Sequence, residues 1–170
     1  MAKHRIVLVG AGQVSSELGP AWQQDGHELL HVVSRTDDSA RPLGELLGCP
    51  WSTNLSEAAG ALADAQVVVV AVTDAIISEV ADAISGMVAS DCILVHLSGA
   101  TSLDHLRAPA AVVWPVRSFN AKAHSVPLAQ TPTVLEATSD AAMRVAHDLC
   151  LLYTSPSPRD LSTSRMPSSA

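Results

Sequence analysis

No basic patch occurs anywhere in this sequence, and its absence removes a whole class of partners. Neutralising nucleic-acid phosphates takes clustered Lys and Arg, whereas these 170 residues carry a formal net charge of −7 at pH 7. Long apolar runs are missing too. The longest, residues 67–72, falls far short of the roughly 20 residues a membrane-spanning helix needs. The N-terminus passes from Lys3, His4 and Arg5 straight into a short strand-like run and a glycine turn. That leaves no room for the apolar core of a secretory signal, so a cytoplasmic location is expected. Cys49, Cys92 and Cys150 are odd in number, widely spaced and without C-x-x-C pairing, which excludes a disulfide framework and a zinc site. His124 and the other histidines show no spacing of the H-E-x-x-H kind, so no metal is expected.

What is present describes one ordinary soluble domain. A hydrophobic share of 48% against 16% charged residues is enough for a packed core. Strand-like and helix-like segments alternate, as in a doubly wound α/β sheet, mostly parallel, with helices on both faces. Residues 5–9, 28–33, 66–72, 92–97, 111–114 and 133–136 read as strands. Residues 14–24, 40–47 and 55–63 read as helices, as does a stretch ending at Ile84 that Thr73 or Asp74 caps. Gly26 and Gly48 stand where helix stops belong, and Asn54 where a cap does.

Composition changes abruptly near residue 150. Ser, Thr, Pro and Arg then dominate and apolar periodicity ends. Residues 150–160 resemble one reading frame of a transposon-based sequencing adapter, residues 161–163 its variable index, and residues 164–170 a flow-cell primer. Two constant blocks flank a short variable one in the right order. Residues 150–170 are therefore expected to be a non-native disordered tail. The native part, residues 1–149, would stop near Leu149 inside a helix that begins around Ser139, as a fragment of a longer protein.

The chemistry-bearing motifs all fall at strand ends. Gly10-Ala11-Gly12-Gln13-Val14-Ser15 follows the first strand and opens the first helix. Gly10 permits a tight turn and Gly12 lets backbone approach a pyrophosphate, which then meets free N–H groups at a positive helix end. Ser15, small, stands where a third glycine would allow close helix–strand packing. At the second strand end an NAD site wants an acid for the ribose 2′-hydroxyl. Ser34-Arg35-Thr36 offers instead two hydroxyls and a guanidinium, donors suited to the 2′-phosphate of NADP. Val72 and Thr73 close the most hydrophobic strand, where a nicotinamide ribose would pass; Thr73 touches the cofactor or only caps the next helix.

His96-Leu97-Ser98-Gly99-Ala100 closes the next strand. Ser98 and Gly99 are small enough to shape a nicotinamide pocket. His96 is a candidate proton donor, though a histidine here is more often held structurally by backbone. Ser98 lacks the G-x-S-x-G elbow of a nucleophile. Trp114-Pro115-Val116-Arg117-Ser118-Phe119 ends the following strand; its aromatics wall a pocket or join the core, and Arg117 holds an anionic substrate or balances the acidic surface. Catalytic residues stay unknown, with His96 and Ser98 as weak candidates.

Together, G-A-G-Q-V, S-R-T, A-V-T-D-A-I-I, H-L-S-G-A and W-P-V-R-S-F resemble the Rossmann-like proteins that carry a C-terminal DUF2520 domain. That family stands with pyrroline-5-carboxylate reductase in the 6-phosphogluconate dehydrogenase superfamily. The resemblance runs from Arg5 to about Leu149. It implies an NADP-binding domain followed by a helical domain, absent here, that would complete the cleft and form a homodimer. Carried onto this chain, it sets Gly10, Gly12, Gln13 and Val14 at the pyrophosphate. Ser34, Arg35 and Thr36 go to the 2′-phosphate, and Val72, Thr73 and Ser98 near the nicotinamide.

Two functions compete on this reading. The first is NADP-dependent oxidoreduction of a small carbonyl, imine or hydroxy compound, with the fragment itself inactive. The second is a non-catalytic module that binds or senses the nucleotide. A methyltransferase-like nucleotide fold ranks below both, because the Gly turn has dinucleotide spacing and the second strand does not end in an acid.

Overall fold

The computed structural model describes residues 1–106, 109–120 and 127–150. Seven strands form one sheet in the order β3-β2-β1-β4-β5-β6-β7. β1 (Arg5–Val9), β2 (Glu28–Val33), β3 (Trp51–Ser52), β4 (Val67–Val70), β5 (Ile93–His96) and β6 (Ala110–Pro115) run parallel, and β7 (Thr133–Ala137) returns antiparallel to β6. This is the doubly wound α/β architecture, whose order reverses at the β1–β4 boundary.

Near-continuous Val, Leu and Ile runs suit strands covered on both faces. Alternate residues of β1 and β4 feed two separate cores, as the two-residue period of a strand requires. On one face Ile6, Leu8, Val67, Val69, Val95 and Val113 meet helices α1 (Gln13–Gln24), α2 (Asp37–Leu47) and α5 (Asp140–Cys150). Opposite lie Val7, Val9, Val68, Val70 and Leu94, covered by α3 (Ala59–Asp64) and α4 (Ile77–Ile84). Trp22 of α1 is fully buried and its indole N–H donates to the Leu149 carbonyl at 3.2 Å, tying the first helix to the last. Among the described residues no helix is long and apolar enough to cross a membrane.

Several boundaries differ from the sequence expectation. α2 starts at Asp37, a turn before residue 40, because the Thr36 carbonyl accepts from the Ser39 and Ala40 N–H groups. The segment expected as one helix over residues 55–63 opens as a 3-10 turn, Ser56–Ala58, before α3; Asn54 caps it, its Oδ1 accepting the Glu57 N–H at 3.0 Å. β3 has two residues and no readable periodicity. α5 includes Cys150, one residue beyond the expected end of the native part, and that residue is buried. Residues 151–170 lie outside the described residues.

His27, His31 and His96 are buried, and burial lowers the pKa of each. For His27 and His96 a bond explains why the neutral ring suits the fold: Nδ1 accepts a backbone N–H, from His4 at 3.0 Å and from Ser98 at 3.2 Å. The unfolded chain therefore takes up protons near the ordinary histidine pKa while the folded chain resists. Stability is full above that value and falls with acidification, each ring adding a slope of up to about 1.4 kcal/mol per pH unit. Urea unfolding at a series of values between about pH 5 and 7.5 checks this. A flat profile, or one rising toward acid, would refute it.

Candidate functional site

The C-terminal ends of β1, β2 and β4 open into one cavity of about 520 Å³. It sits at the switch point, where open α/β sheets bind ligands. Gly10, Gly12, Ser34, Arg35, Thr36, Val72 and Thr73 line it together. Gln13, Val14 and Ser98 do not: Gln13 is exposed on the first turn of α1, Val14 packs against the core, and Ser98 borders a different cavity. Val14, its side chain packed against the core, would meet a pyrophosphate only through its backbone N–H.

Three features make the glycine turn receptive to an anion. Gly10 has φ +107°, and its N–H donates to the Val33 carbonyl at 2.7 Å, so the turn lies tight against β2. Gly12 is the N-cap of α1, and a Cβ added there would meet no atom within 4 Å. The protein itself does not need that glycine; the space beside it is available to a ligand. The first turn of α1 carries no acidic side chain and no side-chain cap, which leaves its N–H groups and positive end open. Ser15, buried, adds a bond that the motif alone does not announce: its hydroxyl donates to the Gly10 carbonyl at 2.7 Å.

At the other end of the cavity Arg35 is exposed and forms no ion pair with a described residue. Arg41, by contrast, sits 3.7 Å from Asp37 and over the Trp51 ring, and Arg117 is 3.4 Å from Glu17 of α1 and over the Phe119 ring. The substrate-clamp alternative for Arg117 is thus met by an internal carboxylate. Ser39, Thr53, Asn54, Leu55, Ile76 and Val80 also line the cavity. Sequence reasoning passed them over, and only for Asn54 was any signal present, its capping position. Thr73 occupies the N-cap position before a 3-10 turn, yet its side chain makes no capping bond.

Ser98 and Gly99 line a second cavity of about 400 Å³ with Thr101, Val112, Trp114, Val134 and Glu136. His96 lines neither cavity. Its Nδ1 holds the Ser98 N–H, and its Nε2 is buried with no hydrogen-bond partner among the described residues. Burial lowers its pKa against the opposing pull of Asp74 and of the Thr101 backbone. This geometry suits a residue that positions the Ser98–Gly99 turn. Among the described residues no group of three or more His, Cys, Asp or Glu could hold a metal, and the side chains of Lys122 and His124 lie outside them.

The family model described as NADP oxidoreductase, coenzyme F420-dependent, matches residues 5–98. No curated protein matches the chain. Among solved structures, a Bacteroides fragilis protein assigned as an NADP oxidoreductase has a TM-score of 0.77 at 24% identity, over 89% of this chain and 58% of its own. Pyrroline-5-carboxylate reductase from Coxiella burnetii gives 0.72 at 15% identity, over 99% and 60%. Prephenate dehydrogenase from A. aeolicus, solved with hydroxyphenyl propionate and NAD+, gives 0.72 at 10% identity, over 98% and 59%. At these identities the likeness is one of fold. The chain spans about three fifths of the length of the solved proteins it matches.

Proposed function

The chain belongs to the family described as NADP oxidoreductase, coenzyme F420-dependent, and on that premise we propose that it binds NADP(H) across the β1–β4 crevice for reduction or oxidation of a small carbonyl, imine or hydroxy compound. The bound nicotinamide supplies the hydride chemistry, and the protein supplies position and charge. Gly10, Gly12 and the first turn of α1 receive the pyrophosphate. Ser34, Arg35 and Thr36 receive the 2′-phosphate, and Val72 and Thr73 flank the path toward the nicotinamide. The observation that carries the choice of NADP is the Arg35 guanidinium, which lines the cavity without a carboxylate partner among the described residues. Its planar fork matches phosphate oxygens. DUF2520-like membership and the native boundary near Leu149 belong to the same proposal.

The test is a titration of the full chain with NADPH and, separately, NADH, by tryptophan-to-nicotinamide energy transfer with calorimetry as a check. NADPH is expected to bind the more tightly. Arg35→Ala should weaken NADPH by about 10- to 50-fold, the loss of charge-assisted bonds to phosphate, and leave NADH within about twofold. Equal affinities in the wild type would move the reading to NAD, and no binding of either would end it. A second reading, a module that binds the nucleotide without turnover, is favoured by the position of His96 outside both cavities. Because the chain spans only part of its structural neighbours, the expected result for it alone is binding without turnover; oxidation of NADPH with any small carbonyl or imine would contradict that.

A further inference from the structure

Three hydroxyls meet where β2 gives way to α2. Ser39 Oγ lies 2.8 Å from Ser34 Oγ, 2.9 Å from Thr36 Oγ1 and 3.0 Å from the Thr36 carbonyl, and all three residues line the cavity. A serine has one proton to give. The carbonyl can only accept, so Ser39 donates there. The two remaining contacts are then made together only if Ser34 and Thr36 both donate to the Ser39 oxygen. In that arrangement every proton of the trio is used internally, and what Ser34 and Thr36 turn outward is lone pairs.

That orientation favours one kind of ligand. A ribose 2′-hydroxyl can donate to either outward oxygen with nothing displaced. A 2′-phosphate only accepts, so Ser34 and Thr36 must first turn their protons away from Ser39, leaving its half-buried oxygen without two donors. We infer that Ser39 is a specificity-determining residue that holds the site against the phosphate and so tempers the preference Arg35 creates. The inference rests on the proposal that this end of the cavity takes the adenosine ribose. The nearby Asp37 does not line the cavity and lies 3.7 Å from Arg41.

The experiment measures NADPH and NADH affinities of the full chain and its Ser39→Ala and Ser39→Thr variants by calorimetry. Ser39→Ala should tighten NADPH by about three- to tenfold, the range set by releasing two ordinary hydrogen bonds, and move NADH by less than about twofold. Ser39→Thr keeps the hub oxygen and should retain the wild-type ratio. A purely structural role for Ser39 would shift both nucleotides together and leave the ratio unchanged, which overturns the inference. So does weaker NADPH binding alone, which would make Ser39 a phosphate donor; in both cases the nucleotide reading survives. Should the alanine variant misfold, Ser39→Gly removes the same oxygen and reads the same ratio. Absence of dinucleotide binding in the wild type overturns the reading and this inference with it.

Discussion

Gly10→Ala is expected to lower stability by about 3 kcal/mol or more and to abolish dinucleotide binding. Two costs combine. At φ +107° an L side chain is strained wherever it points. Here it would also point into backbone: the added Cβ would stand 2.1 Å from the Ala71 carbonyl oxygen and 2.6 Å from its carbon. Neither side can yield cheaply. The Gly10 N–H is bonded to the Val33 carbonyl at 2.7 Å, and the Ala71 N–H to the Val9 carbonyl at 2.7 Å, so the turn is clamped between β2 and β4. Gly12→Ala is the informative partner. With no atom within 4 Å of its Cβ it should unfold within about 1 kcal/mol of the wild type, yet lose most of its dinucleotide affinity if a pyrophosphate occupies that space. Urea unfolding and NADPH titration of both variants separate the two roles. A stable Gly10→Ala protein would show the turn to be softer than its bonds imply, and a Gly12→Ala protein that binds normally would remove the phosphate from this position.

The contrast between those glycines shows what a sequence can and cannot announce. G-A-G is legible because it is contiguous and follows a strand of branched residues; that Gly10 is required by the packing of the fold and Gly12 is not is a matter of what stands opposite each. β1 and β2 could be read to their final residues because their apolar runs stop at a glycine or a polar turn. β3 could not, since Trp51 and Ser52 owe their strand geometry to pairing with Val32 and Val33. The direction of β7 leaves no trace in its composition. At the site, Ser34, Arg35 and Thr36 were visible as a short polar break, whereas Thr53, Leu55, Ile76 and Val80 reach the cavity only because separate crossovers end on the same sheet edge. Arg117 looked available for an anion, and its carboxylate lies on α1, far away along the chain.

Gly99→Ala is the second large effect, and it tests the turn that borders the second cavity. A Cβ on Gly99 would lie 2.4–2.5 Å from Cδ2, Cε2 and Cε3 of Trp114, inside the face of the indole. The turn cannot lift away freely: the Ser98 N–H is held by His96 Nδ1 and the Ala100 N–H by Ser98 Oγ at 3.1 Å. Trp114 is likewise fixed in β6, opposite Val134 of β7. Overpacking of this kind costs about 1–3 kcal/mol, and the upper half of that range is expected here. Trp114→Leu should be destabilising alone, because it removes part of the wall. In the Gly99→Ala background it should instead relieve the clash, giving a coupling of about 1 kcal/mol or more in a double-mutant cycle. Strict additivity would mean that the turn and the ring do not constrain each other. Because His96 pairs with Val70 across β5 and β4, this turn leaves the same sheet edge as the Val72–Thr73 segment that lines the first cavity. If it flanks the nicotinamide, Gly99→Ala weakens NADPH by about fivefold, roughly 1 kcal/mol, while 2′,5′-ADP, which has no nicotinamide, binds as before. Equal losses for both probes would place the disturbance in the fold as a whole, and no loss for either would move the nicotinamide away from Ser98.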